Sequence, residues 1–175
     1  LLAEEHGLFH HSSHSVNYVE SHDGYTLGDF IRTALKHDRR NHEQDHQQEA
    51  EHDVEGGIEQ EVIRLQKLAG FMLFVSQGIC MIHAGQEWAR SKAIVSNDYQ
   101  GTTYDHDSYN KDSDVNYLNF DEKDRSMELV TYYKLLIEIR NENKALQNSN
   151  VEAIVFKVYQ DPLHITFSID GHSVD

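Results

Sequence analysis

Cationic side chains are scarce in this 175-residue sequence, which has 15 Lys and Arg against 30 Asp and Glu and a formal net charge of −15. Such a chain is a poor partner for nucleic acid or an anionic membrane surface, because both carry negative charge. Long apolar runs are also lacking, and none reaches the roughly 18 residues that a membrane span needs. These shortages favour one globular domain of ordinary size, or part of a larger one.

Cysteine is nearly absent as well. The single Cys80 lies within an apolar run and cannot build a disulfide framework, so the redox compartment stays open. The sequence starts at Leu1 instead of Met, and no charged stretch with an apolar core comes first. We therefore expect no signal peptide in these residues, and a start at a processed end or a fragment boundary.

Residues 16–22 form a β-prone segment that delivers His22 and then Asp23. Val16 and Tyr18 favour a strand there. A strand tip that carries an imidazole and a carboxylate together is typical of catalytic groups in α/β barrels. A strand end with a turn-forming Asp is the other interpretation, and this segment alone does not separate the two.

Three stretches have helical periodicity. Apolar residues at three-to-four spacing predict helices over residues 26–36, from 58 to about 78, and over 125–142, with Asp124 as the N-cap of the third. The predicted buried stripes are Ile58, Val62, Leu65, Ala69, Met72 and Val75 in the second helix and Leu129, Val130, Tyr133, Leu136 and Ile137 in the third.

Residues 37–57 hold almost no apolar side chain. We interpret them as a solvated polar insertion loop that ends at Gly56-Gly57. A metal box is the alternative, and its ligands would come from His42, His46, Glu49, Glu51, His52 and Asp53. Because no apolar neighbourhood would fix such ligands, we predict no metal site.

A short continuous apolar run follows at residues 79–83. Such a run is typical of a strand buried on both faces, and hence of a parallel strand. With the segment at 16–22 and the helices between them, it predicts a βαβ unit.

Residues 88–120 form a long polar and aromatic stretch. A long irregular stretch is unusual in a compact domain unless it serves binding. Aromatic rings with Asn and Asp between them suit sugars, whose CH faces stack on rings while their hydroxyls take hydrogen bonds. The other interpretation is that these aromatics only pin the loop down. They are Trp88, Tyr99, Tyr104, Tyr109, Tyr117 and Phe120.

Hydrophobic residues alternate with polar ones near the end of the sequence. Residues 154–159 and 163–169 flank Asp161-Pro162 and predict an antiparallel hairpin with one solvent-facing side. We expect this sheet to end at Asp170-Gly171.

Four segments together resemble the α-amylase superfamily, glycoside hydrolase family 13, and most closely its debranching branch of pullulanases and isoamylases. They are VNYVESHDGYTL at 16–27, SQGICMIHAGQE at 76–87, SYNK at 108–111 and VNYLNF at 115–120. The resemblance covers most of residues 16–146. It implies an α/β fold, with the last two βα units of a (β/α)8 TIM barrel in residues 1–146 and the start of an antiparallel β-sandwich in 147–175.

The resemblance also implies roles for individual residues. Asp23 resembles the third catalytic carboxylate, which binds ring hydroxyls of the substrate and stabilises the transition state. Glu87 resembles a structural residue at the end of the eighth strand, and Cys80 stands where the family usually has Pro. The implied substrate-binding residues are His22, Tyr109, Asn110 and Asn116.

The resemblance accounts for only one of three catalytic carboxylates. Retaining glycosidases need a nucleophile and an acid/base, which this family carries after its fourth and fifth strands, upstream of Leu1. We therefore expect part of a hydrolase of α-1,6 or α-1,4 glucans that is inactive alone, needs no organic cofactor, and has an α-glucan and the remainder of the barrel as partners. The alternative is a non-catalytic carbohydrate-binding or scaffold remnant.

Overall fold

A computed structural model of the chain describes residues 11–43, 51–94, 103–148, 154–160, 163–169 and 172–174, in a mixed α/β fold. The helices are α1 (Leu27–Glu43), α2 (Glu51–Val75), α3 (Met127–Glu142) and α4 (Ala145–Asn148). The strands are β1 (Val16–Asn17), β2 (Ile79–Cys80), β3 (Ala93–Ile94), β4 (Thr103–Tyr104), β5 (Ile154–Gln160), β6 (Leu163–Ile169) and β7 (His172–Val174). None of the described helices is both long enough and apolar enough to span a membrane.

β1 and β2 pair in parallel, with Val16 opposite Ile79, so the predicted parallel pairing is confirmed. Both strands are shorter than predicted, at two residues each. The last bond of the ladder runs from the Met81 amide to the Asn17 carbonyl, 2.9 Å away. Among the described elements, β1 and β2 each pair with one strand only. The turn that follows each strand then ends the short ladder.

One face of the β1–β2 pair is open to solvent. Val16, Tyr18, Ile79 and Met81 are all exposed, and Ile79 keeps 53 % of its surface accessible. Residues at i and i+2 of a strand point the same way, so these four side chains share a face. The prediction that the second strand is buried on both faces is therefore wrong for this chain.

The polar segment 37–57 is helical at both of its ends. α1 runs on to Glu43, and α2 starts at Glu51 and passes through Gly56-Gly57. The predicted loop is wrong over these residues, because a helix that is already anchored gains one hydrogen bond for each residue added and needs no apolar stripe to continue. The metal-box hypothesis falls on residues whose side chains lie outside the described part of the chain.

The described residues divide into two compact units. The first unit, from 19–70 and 82–134, has a core of Ile31, Ile58 and Val62 between α1 and α2. Leu27, Leu35 and Leu65 pack around that core. Burying apolar surface in this way contributes about 25 cal/mol for each Å² removed from water.

α3 adds the buried residues Leu129, Val130 and Tyr133 to this unit, as predicted. Gly70 of α2 lets the Tyr133 ring come close, since a Cβ at Gly70 would lie 3.0 Å from the ring carbon Cζ. Close approach of two helices commonly requires a residue without a side chain.

The start of α3 differs from the prediction. A 3-10 helix spans Phe120–Ser126, and its first turn is capped by Asn119, whose side chain accepts from the Asp121 amide. Asp124 lies inside this 3-10 helix, so its prediction as the N-cap is wrong. The amide groups that a cap must satisfy lie at the first turn of the helical run, which begins earlier than the apolar stripe.

The second unit contains the remaining described segments, and Arg140 closes the end of α2 within it. Its guanidinium donates to the carbonyls of Phe74, Ser76 and Gly78 at 2.5, 2.8 and 2.6 Å. The last carbonyls of a helix have no partner inside it, so an arginine placed there satisfies them. Two residues of the predicted stripes, Met72 and Ile137, are exposed in this unit.

β5, β6 and β7 form one antiparallel sheet. β5 pairs with β6 from Ile154 opposite Ile169 to Gln160 opposite Leu163, which confirms the predicted hairpin. The sheet continues past the predicted end, because β7 pairs with β6 through Phe167 and Val174. Three residues are too short a segment for alternation to identify as a strand.

The turn at Gly78 generates a prediction about stability. Gly78 has φ +98°, and a Cβ there would lie 2.6 Å from the Ser12 carbonyl oxygen and 2.8 Å from that of Ser15. We expect Gly78→Ala to lower the free energy of unfolding by about 2 to 3 kcal/mol, since it combines left-handed strain with a clash against backbone. Urea unfolding measures this loss.

The control is Gly24→Ala. Gly24 also has a positive φ, +74°, but no described atom lies within 4 Å of its Cβ position. It should lose only the conformational cost, about 1 kcal/mol. Equal losses in the two variants would contradict the role of the Ser12 and Ser15 carbonyls.

Candidate active site

His22 and Asp23 stand on a solvent-facing turn. Their side chains are 72 % and 68 % exposed, and His22 Nε2 lies 3.5 Å from Asp23 Oδ1. Gly24 supports the turn with φ +74°, a conformation that residues with a Cβ rarely adopt. The predicted pair is therefore adjacent and accessible.

Glu20 is a buried carboxylate next to this turn. It is 4 % exposed, and Oε2 accepts from the Leu27 amide at the start of α1, 2.9 Å away. Its other oxygen, Oε1, lies 2.7 Å from His83 Nδ1. Glu20 thus joins the start of α1 to the segment that follows β2. Sequence reasoning missed Glu20, because an acid between a strand and a turn looks like a solvated residue.

Lys92 holds the backbone of the turn. It is 1 % exposed, and its ammonium donates to the His22 carbonyl at 3.0 Å and to the Gly24 carbonyl at 3.2 Å. Burial lowers the pKa of Lys92, and the nearby Arg90 cation lowers it further. A buried ammonium is therefore aimed at the two carbonyls that flank Asp23.

Asp29 anchors the segment that carries Lys92. It is fully buried in the first turn of α1, where Oδ1 accepts from Ser91 Oγ at 2.7 Å and Oδ2 from the Lys92 amide at 2.6 Å. Arg32 donates to Oδ1 at 3.1 Å. Each oxygen of the buried carboxylate is satisfied, as its desolvation requires. Sequence reasoning missed Asp29 too, although Thr26 three residues earlier is a capping signal.

Arg32 extends this network to α2. Its guanidinium donates to Glu59 Oε1 at 2.7 Å and to Oε2 at 2.9 Å, which is a bidentate pair. This hydrogen bond lowers the pKa of the Glu59 carboxyl. The start of α1 is thereby tied to α2 and to the segment after β2 at once.

Gln86 and Tyr133 link that segment to α3. Both are buried, and Gln86 Nε2 donates to the Tyr133 hydroxyl at 3.0 Å. Burial raises the pKa of Tyr133 to about 12. Glu87 has a local role, since its Oε2 accepts from the Gly85 amide at 3.1 Å. The structural role that the resemblance implies for Glu87 stays a prediction.

A second loop carries the other predicted site residues. Tyr109 and Asn110 are exposed. Asn116 is half-buried, and its amide nitrogen donates to the carbonyls of Ser108 and Lys111 at 2.6 and 2.7 Å. The Asn116 side chain therefore shapes its own loop, and substrate binding by these three residues stays a prediction.

Asp105 stiffens the base of this loop. It is buried, and it accepts from the Asp107 amide at 2.9 Å and from Lys111 Nζ at 2.7 Å. The hydrogen bond from Lys111 lowers the pKa of Asp105. Tyr25 and His106 have ring centroids 5.2 Å apart, so the loop contacts the residue that follows the His22–Gly24 turn.

The aromatic residues of the loop divide into two groups. Trp88 is buried and lies 5.5 Å from the Phe120 ring, so it pins the loop down. Tyr109, Tyr117 and Phe120 keep about three-fifths of their surface exposed. Tyr99 lies outside the described residues.

No metal centre is found among the residues that the structure describes, since no group of three or more His, Cys, Asp or Glu there is placed to hold an ion. Cys80 is half-buried, and its thiol lies 3.1 Å from the Leu73 carbonyl. Burial raises the pKa of this thiol, which keeps it protonated and unreactive at neutral pH.

His22 and Asp23 thus present an imidazole and a carboxylate side by side on an exposed turn that buried groups support. Comparison with known proteins shows that the chain belongs to glycoside hydrolase family 13, with the isoamylases and pullulanases, the debranching enzymes of that family. No family model matches the chain.

Among these relatives are isoamylase 1 of Oryza sativa, 31 % identical over 144 residues, and pullulanase of Bacillus subtilis, 29 % identical over 135 residues. These matches cover 76 % and 77 % of the chain but 17 % and 15 % of the two enzymes. A solved pullulanase from Anoxybacillus, complexed with maltotetraose, has a TM-score of 0.62 and 30 % identity over 91 % of the chain and 20 % of that enzyme. The chain thus spans under a fifth of the curated relatives named here.

The buried Tyr133 hydroxyl predicts a pH dependence. The pKa of Tyr133 is about 12 in the folded chain and about 10 in the unfolded chain. Its contribution to stability is therefore complete below pH 10 and is lost as the pH rises through 12. We expect the stability difference between wild type and Tyr133→Phe to shrink by roughly 1 to 2 kcal/mol between pH 9 and 12.

Urea unfolding at each pH measures this difference. Thr131→Ala, at an exposed residue of α3 that carries no titrating group, is the control and should keep a constant offset from wild type. A constant offset for Tyr133→Phe as well would show that burial of the hydroxyl does not control its titration.

Proposed function

We propose that this chain supplies the last two βα units of a (β/α)8 barrel and the start of a β-sandwich in a retaining hydrolase of α-1,6 or α-1,4 glucans. Asp23 is the carboxylate that stabilises the transition state, and His22 binds substrate beside it. The observation that carries this proposal is the exposed His22–Asp23 pair on a turn whose flanking groups are buried and hydrogen-bonded.

The chemistry of the pair suits glycoside cleavage. An oxocarbenium-like transition state develops positive charge on the sugar ring, and a fixed carboxylate stabilises it. The exposed Asp23 carboxylate has lone pairs available for ring hydroxyls. His22 can donate or accept a further hydrogen bond at the same place.

The open face of the β1–β2 pair supports the remainder of the barrel as a partner. Val16, Tyr18, Ile79 and Met81 form an exposed apolar row on a short parallel ladder. Parallel strands normally occur with both faces covered, and unpaired strand edges invite further pairing. Six further strands would cover this face and pair both edges.

We expect the 175-residue chain alone to release no reducing sugar from pullulan. Covalent catalysis in this family uses a nucleophile and an acid/base, and the resemblance matches neither to a residue of this chain. The measurement is a reducing-sugar assay on the pure chain, with Bacillus subtilis pullulanase as the positive control. Measurable release above a buffer blank would overturn this part of the proposal.

The catalytic role of Asp23 is tested in a chimaera. Residues 11–148 replace the matched segment of Bacillus subtilis pullulanase, and hydrolysis of pullulan is followed. We expect the chimaera to be active and Asp23→Asn to lower kcat by about 10³-fold or more, because the transition state loses its fixed negative charge.

The matched control is Asp124→Asn, at an exposed aspartate of the 3-10 helix before α3. It should leave kcat and KM of the chimaera unchanged. Near-normal turnover of the Asp23→Asn chimaera would show that the motif is misaligned. A soluble, folded chimaera without activity would count against the proposed function as a whole.

A non-catalytic carbohydrate-binding role is the second candidate. It is favoured by the exposed rings of Tyr109, Tyr117 and Phe120 on the loop before α3. Stacking of sugar CH faces on such rings would give binding without chemistry. Calorimetric titration of the 175-residue chain with maltotetraose separates the two candidates, since this role requires binding by the chain alone that Tyr109→Ala weakens.

A further inference from the structure

We propose that Lys92 is a positioning residue for Asp23, because its buried ammonium ties down the two backbone carbonyls on either side of that carboxylate. The significance of this for catalysis rests on the proposed function. The structural part concerns this chain alone and is tested separately.

Asp23 lies between two backbone carbonyls that both accept hydrogen bonds from Lys92. The Lys92 ammonium donates to the carbonyl of His22 and to that of Gly24, at 3.0 and 3.2 Å. Among the described residues, Asp23 itself is held only weakly, by the 3.5 Å contact with His22 and a 3.5 Å contact of its carbonyl with the Ser21 hydroxyl. The direction of the exposed carboxylate is therefore set mainly by the backbone that Lys92 holds.

Lys92 can hold that backbone because its own is held on both sides. Its amide donates to Asp29 Oδ2 at 2.6 Å, and its carbonyl accepts from the Asp105 amide at 2.9 Å. Asp29 is fixed in turn by Ser91 and by the first turn of α1. The ammonium is thus presented from a rigid support and not from a mobile surface side chain.

The Lys92 ammonium is held beside the turn at a cost in solvation. A buried ammonium loses its hydration, and burial together with the Arg90 cation lowers its pKa, which Glu20, Asp105 and Asp29 oppose. The two carbonyls and these carboxylates offset that cost, and Lys92→Met would leave the carbonyls of His22 and Gly24 without their donor.

The first test uses the 175-residue chain and 15N relaxation. In wild type we expect order parameters of Asp23 and Gly24 near those of rigid backbone, about 0.85, and in Lys92→Met values below about 0.6. Lys92→Arg keeps donors for both carbonyls and should restore most of the rigidity. Lys92→Met should also lower the midpoint of thermal unfolding, because it leaves two carbonyls without their donor, so all variants are compared well below their midpoints.

Lys134→Met is the matched control, because Lys134 is an exposed lysine of α3. It should leave the order parameters of Asp23 and Gly24 at the wild-type values. If Lys92→Met leaves them there too, the inference is wrong. If Lys92→Met does not fold, Lys92→Arg decides, since loss of rigidity with both donors present would also contradict the inference.

The second test measures turnover of pullulan by the chimaera. We expect Lys92→Met to lower kcat by about 10- to 100-fold with KM within about twofold, since a misplaced carboxylate loses transition-state stabilisation more than ground-state binding. Lys92→Arg should recover part of kcat.

Different results would contradict the positioning role of Lys92 and the proposed function. Unchanged kcat in the Lys92→Met chimaera would overturn the positioning role while leaving the proposed function intact. An inactive wild-type chimaera would count against the proposed function, and the relaxation measurement on the 175-residue chain would still decide whether Lys92 fixes the turn.

Discussion

The carboxylate of Asp29 is the constraint on which the unit that carries the site depends. It lies in the first turn of α1, where the positive end of the helix dipole favours a negative charge. Its oxygens accept from Ser91 and from the Lys92 amide, and Arg32 links it to Glu59 of α2. A buried charge is tolerated only when its partners are complete. Three segments that are distant in sequence are therefore fixed by one side chain.

In this arrangement, the residues that support the turn are different from the residues that are predicted to contact substrate. Glu20, Asp29 and Lys92 are buried and satisfied, whereas His22 and Asp23 are exposed. Groups that hold a backbone benefit from low dielectric and full hydrogen bonding, but groups that meet a sugar must keep lone pairs and donors free. In the proposed function, the exposed pair and not the buried acids would contact the substrate.

Periodicity in the sequence was sufficient to predict that α1, α2, α3 and the β5–β6 hairpin exist, but not where α1 ends or α2 begins, and the four-residue α4 was not predicted. The stripe through Leu129, Val130 and Tyr133 is buried as expected. The prediction of a loop over the polar segment 37–57 was wrong at both ends of that segment. Polar residues with good helix propensity and no apolar stripe occur both in solvated loops and in exposed extensions of helices, so the sequence does not separate the two. The strand β7 was not predicted, because its three residues are too few for an alternating pattern to be recognised.

The buried scaffold of the site could not be predicted in the same way. Lys92 bonds to residues about 70 positions earlier, and Glu20 pairs with His83, 63 positions later. Single charged residues in polar surroundings look solvated, and only tertiary structure shows which of them are buried. The His22–Asp23 pair could be proposed from a local motif, whereas the residues that support it have no local pattern.

The open apolar face of the β1–β2 pair has a consequence for colloidal behaviour. Val16, Tyr18, Ile79 and Met81 form a hydrophobic patch beside strand edges that have no partner among the described residues, and the chain carries a formal net charge of −15. Repulsion between copies opposes contact through that patch, and salt weakens it as the screening length falls from about 10 Å at 0.1 M to about 3 Å at 1 M. We therefore expect association between copies of this chain to increase with ionic strength.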